Sequence, residues 1–216
     1  NIGNFKLFEL LINKLQIPQR WKQRLIKFFW NEKYFSELLK RLESNLDIDP
    51  VAVAGDKKMY SKMIKLNQKK IINGRSYKEI IKRFESKIND PRQSETGKKS
   101  AKIIKEFLKI KCSLNNAPNV LNKFFKKYDL NIFVNKDFFP IKNLKIKDTK
   151  FEFSTSIGRG REVEFYNSLI FSLDVKKKNK FVNLISGGRF DELTSKYLGL
   201  KKVPAVGAAV NLSNYE

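Results

Sequence analysis

Between Arg161 and Arg189 the chain gathers side chains that could hold a small polar ligand. Glu162, Glu164, Tyr166 and Ser168 alternate with Val163, Phe165, Leu169 and Phe171. A strand of that pattern presents one polar wall and one apolar wall. The polar wall is either the side of a pocket or an ordinary solvated sheet face. Ser186-Gly187-Gly188-Arg189 ends the next apolar run and would open close to it. Adjacent glycines free the backbone to approach a ligand or turn sharply, and their N–H groups can line a concave site. Arg189 then either binds an anion or pairs with Asp191. The chain has no histidine and a single cysteine, Cys112. A Cys/His metal site, an internal disulfide and a Cys-His nucleophilic pair are therefore excluded, and any acid–base chemistry would fall to Asp, Glu, Lys, Arg or Tyr.

These residues need elements to place them. Phe151, Phe153, Thr155 and Ile157 alternate with polar neighbours, which predicts a first strand. Glu162 to Asp174 reads as a second strand, Lys176 to Lys180 as a polar turn, and Phe181 to Ile185 as a third, more buried strand. A helix capped by Asp191 runs to Tyr197, and Val206 to Val210 is a last strand. Upstream the period is helical. Asn4 to Leu15 places Phe5, Phe8, Leu11, Ile12 and Leu15 on one face, Pro18 suits the first turn of a helix facing inward through Trp21, Leu25 and Phe28, and Tyr34 to Leu42 continues the pattern. Ser44 to Asp56, with Asp47, Asp49, Pro50 and Gly55, reads as a loop. Ser76 and Glu79 form a capping-box pair ahead of Ile80, Ile81 and Phe84. Lys98 to Ile110 and Pro118 to Tyr128 are further helices.

Helices followed by antiparallel strands give an α+β class. The divisions are residues 1–30, a helical part of the core; residues 31–147, a helical insertion module; and residues 148–216, the antiparallel-sheet half. At 216 residues there is ample material for a core. No apolar run approaches bilayer length and no signal-peptide pattern opens the chain, so a soluble, cytoplasmic protein is expected. The chain begins at Asn1 without a methionine, and an N-terminal truncation is expected.

The formal net charge is +23, of which residues 1–147 carry +20. A basic face could bind RNA phosphates. Yet 36 Lys stand against 9 Arg, and Asn, Ile and Phe are heavily used, as an AT-rich genome would produce. Phosphate and base recognition more often shows Arg clusters with interleaved aromatics. Both readings of the charge stay open.

Three motifs carry a family resemblance. REVEFYNSLIF, from Arg161 to Phe171, resembles the RGLDYYTGxVF signature of the histidyl-tRNA synthetase-like class II catalytic core. GGRFDEL, from Gly187 to Leu193, resembles its GGRYDxL, and PAVGAAVNL, from Pro204 to Leu212, resembles the strand opening its motif 3. The stretch from Leu7 to Phe29 further resembles the GDxxLFxALLxALxLPxxWRxRL pattern of ATP phosphoribosyltransferase regulatory subunits, through Leu7-Phe8, Leu11, Leu15, Pro18, Trp21 and Arg24-Leu25. In the synthetase pattern the last strand continues into an arginine that clamps ATP phosphate. Asn214 stands there, and a neutral amide cannot supply that charge.

The resemblance implies the C-terminal part of a class II synthetase-like antiparallel sheet with a large helical module, motifs 1 and 2 lying upstream of Asn1. It implies a non-catalytic regulatory subunit, without cofactor, that joins a short-form ATP phosphoribosyltransferase catalytic subunit and relays histidine feedback, with a homodimer in the full-length protein. Arg161, Phe165 and Tyr166 match histidine-binding positions, and Glu164 could meet a cationic ligand group. Glu162, Phe165 and Asn167-Ser168 depart from the signature, so the pocket is either functional or vestigial. Two rival readings remain: a divergent histidyl-tRNA synthetase, and a basic RNA-binding paralogue.

Overall fold

In a computed structural model the described residues are 1–66, 71–72, 74–139, 146–160, 165–177, 180–199 and 203–214. The chain opens with a three-residue strand, β1 (Ile2–Asn4), where the helical pattern gave no hint of one. Asn4 ends it and caps α1 (Phe5–Lys14), its side-chain oxygen accepting from the Lys6 N–H at 3.0 Å. Helix α2 (Gln19–Lys27) follows Pro18 and buries Trp21 and Leu25, while the third inward ring is Phe29 rather than Phe28. Asn31 caps α3 (Glu32–Glu43) by accepting from the Tyr34 N–H at 3.0 Å.

The loop expected over Ser44 to Asp56 ends early. Asp49 accepts from the N–H groups of Val51 and Ala52, at 2.9 and 3.1 Å, and Pro50 opens α4 (Pro50–Leu66). Proline lacks only a donor that a first helical turn leaves unpaired, so the residues that resembled a loop are a helix start. The short strands β2 (Ile71–Ile72) and β3 (Arg75–Ser76) pair, and α5 (Tyr77–Ile88) begins with the expected Ser76–Glu79 capping box. Helix α6 (Ser94–Phe107), strand β4 (Lys111–Ser113) and α7 (Ala117–Lys127) complete the helical part. Helices α1, α2, α3, α6 and α7 share one core, with Phe8 against Phe29, Phe35 and Phe107 at ring separations of 4.4, 5.8 and 6.4 Å.

Three predicted strands change length. The first shortens to β5 (Glu152–Ser154), because the Thr155 hydroxyl donates to the Phe107 carbonyl and the chain turns off the sheet. The second starts late, as β6 (Leu169–Lys177). The third extends, as β7 (Lys180–Arg189), with Phe181 exposed rather than buried. Helix α8 (Asp191–Leu198) and β8 (Val206–Val210) follow. Among the described residues the sheet has six strands in the order β4-β5-β1-β6-β7-β8, antiparallel except for β1 against β5. With eight α-helices among the described residues, this is a mixed α and β molecule with a mostly antiparallel sheet.

Helices α4 and α5 form an arm beside this core. Tyr77 is the buried apolar residue of the pair; its hydroxyl donates to the Met63 carbonyl at 2.7 Å, and Lys87 meets Asp56 at 2.6 Å. Both ends of the arm are tied to α2. Arg20 reaches Asp47 just before α4 at 3.0 Å and Asp90 just after α5 at 2.5 Å. Arg41 also holds Asp47, at 2.6 Å, and the Trp21 indole N–H donates to Asp90 at 3.0 Å. The guanidinium groups of Arg20 and Arg92 lie over the Trp21 ring, 4.8 and 4.7 Å from its centroid.

Candidate functional site

The register around Gly187 and Gly188 decides what this region can be. Phe171 pairs with Gly187 and Gly187 with Ala208; Ile170 pairs with Gly188 and Gly188 with Gly207. Both glycines therefore sit inside the ladder of β7. The turn-like, N–H-presenting reading of Gly187-Gly188-Arg189 is corrected, since in a central strand the backbone groups are spent on the neighbouring strands. Their role is close approach. A Cβ on Gly188 would lie 2.7 Å from the Tyr166 ring and 2.8 Å from the Leu169 carbonyl. A Cβ on Gly187 would lie 2.5 Å from both the Phe171 ring and the Gly207 carbonyl. Each glycine thus seats one aromatic ring, on opposite faces of one sheet.

Tyr166 lies on the face that meets the helical core. It is buried, 4.5 Å from Phe165 and 6.3 Å from Phe190 between ring centroids. Burial pushes its phenol above the ordinary value, so it stays protonated and able to donate. Phe165 is 39% exposed and packs edge-on against Phe190 at 5.9 Å. Arg161 and Glu164 lie outside the described residues. Of the expected polar wall, Glu162 and Glu164 lie outside the described residues, while Tyr166 joins the buried core and Ser168 lines the cleft beside Phe171.

The other face, beside Phe171, forms the floor of a cleft of about 730 Å³. Leu169 and Phe171 line it, with Asn4 and Lys6 from the β1–α1 junction, Asn135 and Asp137 opposite, and Arg189 and Val206 toward the sheet edge. Asn4 closes one wall by donating to the Phe138 carbonyl at 2.9 Å. Arg189 resolves its two readings in favour of Asp191, donating from Nε to both carboxylate oxygens at 2.9 and 2.8 Å. The Ala205 N–H, at 2.9 Å, and then Arg189 hold the Asp191 carboxyl below its ordinary range.

Asp191 is thereby occupied and does not cap α8. Asn167 does so instead: with its amide oriented to satisfy both partners, its oxygen accepts from the Glu192 N–H at 3.1 Å and its nitrogen donates to the Arg189 carbonyl at 3.2 Å. Sequence reasoning missed this cap and missed Asn4, Lys6, Asn135 and Asp137 in the cleft. The Asn135 side chain accepts from the Asp137 N–H at 3.0 Å, a local Asx turn that could have marked the segment as ordered. The cleft offers hydrogen bonds and charge over an apolar floor, which suits holding a small polar molecule. Among the described residues no group of three His, Cys, Asp or Glu side chains could hold a metal ion. No helix among them is long and apolar enough to cross a membrane. Burial raises the Cys112 thiol above its ordinary value, which leaves it a poor nucleophile.

The last strand runs into a short turn of 3₁₀ helix, Leu212–Asn214, where the Asn214 amide donates to the Asn183 carbonyl at 2.8 Å. The chain is similar, from end to end, to ATP phosphoribosyltransferase regulatory subunits. Those of Allorhizobium ampelinum, Rhizobium johnstonii and Rhizobium rhizogenes are 28%, 27% and 26% identical across all of this chain. The chain spans 61% of the length of each. No protein-family model matches.

Proposed function

We propose that this chain serves in a regulatory subunit of ATP phosphoribosyltransferase, a non-catalytic protein that acts with a catalytic partner at the first step of histidine biosynthesis. The whole-chain similarity to regulatory subunits carries this reading. Its sheet would then be of the class II synthetase type, with the three motifs on β6, β7 and β8 and the segments beside them. Asn214 supports regulation over aminoacylation, because an amide already bonded to Asn183 offers no cation to a triphosphate.

The finer part of the proposal is histidine feedback, sensed at Arg161, Glu164, Phe165 and Tyr166. In support, Phe165 offers a half-open ring beside Tyr166, a surface on which a planar imidazole can stack. For feedback to occur, histidine must bind two states of the complex with different free energies. The test is to purify the full-length protein with the short-form catalytic subunit and assay phosphoribosyl transfer with and without histidine. Association, activation and inhibition by histidine are expected. Phe165→Ala should raise the histidine concentration for half-inhibition about five- to tenfold, the loss of one aromatic contact. Failure to associate, or charging of tRNA by the full-length protein, would overturn the proposal.

A further inference from the structure

Arg159 is a cation set against an apolar surface. Its guanidinium lies over the Phe35 ring at 4.7 Å and the Phe29 ring at 5.6 Å, and its Nε–H donates to the Phe29 carbonyl at 3.1 Å. Burial pulls the group below its ordinary pKa and Glu32 counters, yet a guanidinium keeps its charge near neutral pH. The backbone around it is equally constrained. Gly158 and Gly160 both hold positive φ, 81° and 77°, and the Gly160 N–H donates to the Trp30 carbonyl at 3.0 Å. The chain is thus fastened to the turn between α2 and α3 at two consecutive carbonyls. Past residue 164 it returns to the same cluster: the Ser168 carbonyl accepts from the Phe5 N–H at 2.9 Å, and the Phe5 ring packs on Phe29 at 5.2 Å and Trp30 at 4.9 Å. In sequence, Phe165 and Tyr166 stand between these anchors.

We propose that Arg159 is a positioning residue for histidine sensing, one that fixes where Phe165 and Tyr166 stand and acts through the chain rather than on the ligand; this rests on the histidine reading above. An apolar side chain could fill the space against Phe29 and Phe35 without the cost of burying a charge. What the guanidinium adds is direction. Its bond to a backbone carbonyl sets the path of the chain as well as its burial, and the left-handed glycines let the chain turn on both sides of that anchor. A binding group held this way needs less ordering when its ligand arrives.

The test uses the full-length protein in complex with the short-form catalytic subunit, and reads the histidine concentration for half-inhibition alongside thermal unfolding. Arg159→Met keeps an unbranched packing side chain but loses the directed bond, and should raise that concentration about three- to tenfold. Arg159→Lys, which keeps a charge and a donor without the planar fork, should fall between that variant and wild type. Leu121→Ala is the control for lost stability, since it opens a cavity at a fully buried position on α7, outside both anchors. It should lower the unfolding temperature and leave half-inhibition where it was. If it shifts half-inhibition as far as Arg159→Met does, the role of Arg159 is general stability and the proposal fails. If Arg159→Met matches wild type while Phe165→Ala does not, the proposal fails and the histidine reading stands. If wild type is not inhibited, or Phe165→Ala also leaves inhibition unchanged, the histidine reading fails and takes this proposal with it. Where Arg159→Met does not fold, Arg159→Lys carries the comparison, a raised half-inhibition supporting the proposal and an unchanged one overturning it.

Discussion

Gly188 shows how one absent side chain can organise a site. The Tyr166 ring and the Leu169 carbonyl both occupy the space a Cβ would need, so Gly188→Ala must push one of them aside. Overpacking of that kind costs about 2 kcal/mol, and urea unfolding should register it as a lower midpoint at unchanged slope. Arg189→Gln is the contrasting case. Its ion pair with Asp191 is half-exposed, and the Ala205 N–H remains on the carboxylate, so the loss should stay under about 1 kcal/mol by the same measurement. The two residues adjoin in sequence but differ in consequence, because one is fixed by sterics inside a ladder and the other by screened charge at its end.

At the scale of elements, the clasp at the root of α4 and α5 makes the sharpest prediction. Burial alone would raise the Asp47 carboxyl, but hydrogen bonds from Arg41 and Arg20 outweigh it and hold the group below its ordinary 3.8. A depressed carboxyl stabilises the fold fully above that value and loses the contribution as pH falls through the lower, folded-state value. Asp47→Asn should therefore cost about 3 kcal/mol near neutral pH, and the gap between variant and wild type should close in strong acid. The clasp was hidden in the sequence for the same reason α4 was: Asp47, Asp49 and Pro50 look like punctuation until Arg20, from another helix, claims the first aspartate. What was legible was local. The Ser76–Glu79 box, the Asn4 cap and the Trp21–Leu25 face each depend on residues within a turn or two of one another. In the candidate site, Arg189 could be read from the Ser186-Gly187-Gly188-Arg189 run that ends a strand, whereas Asn135 and Asp137 reach the cleft from a segment far away in sequence. The three-residue strands β1 and β4 are too short for any period to betray them.

For the whole molecule, charge and sheet edge act against each other. Strand β8 lies at the edge of the described sheet with Val206 and Val210 exposed, the kind of apolar border that recruits further strands. A net charge of +23 keeps copies apart at low ionic strength. Raising salt should screen that repulsion, and light scattering should then rise with time; Val206→Lys/Val210→Lys should suppress the increase. The sheet has a second peculiarity in its order. Among the described residues, strands β4 and β5 pair with β6, β7 and β8 only by way of β1, whose Ile2 lies between Phe153 and Phe171. Residues Ile2–Asn4 are thus the seam that joins two blocks completed some 150 residues later in synthesis. Helices can gather as they emerge, but the seam must wait for both blocks, so sheet closure falls among the last events of biosynthetic folding.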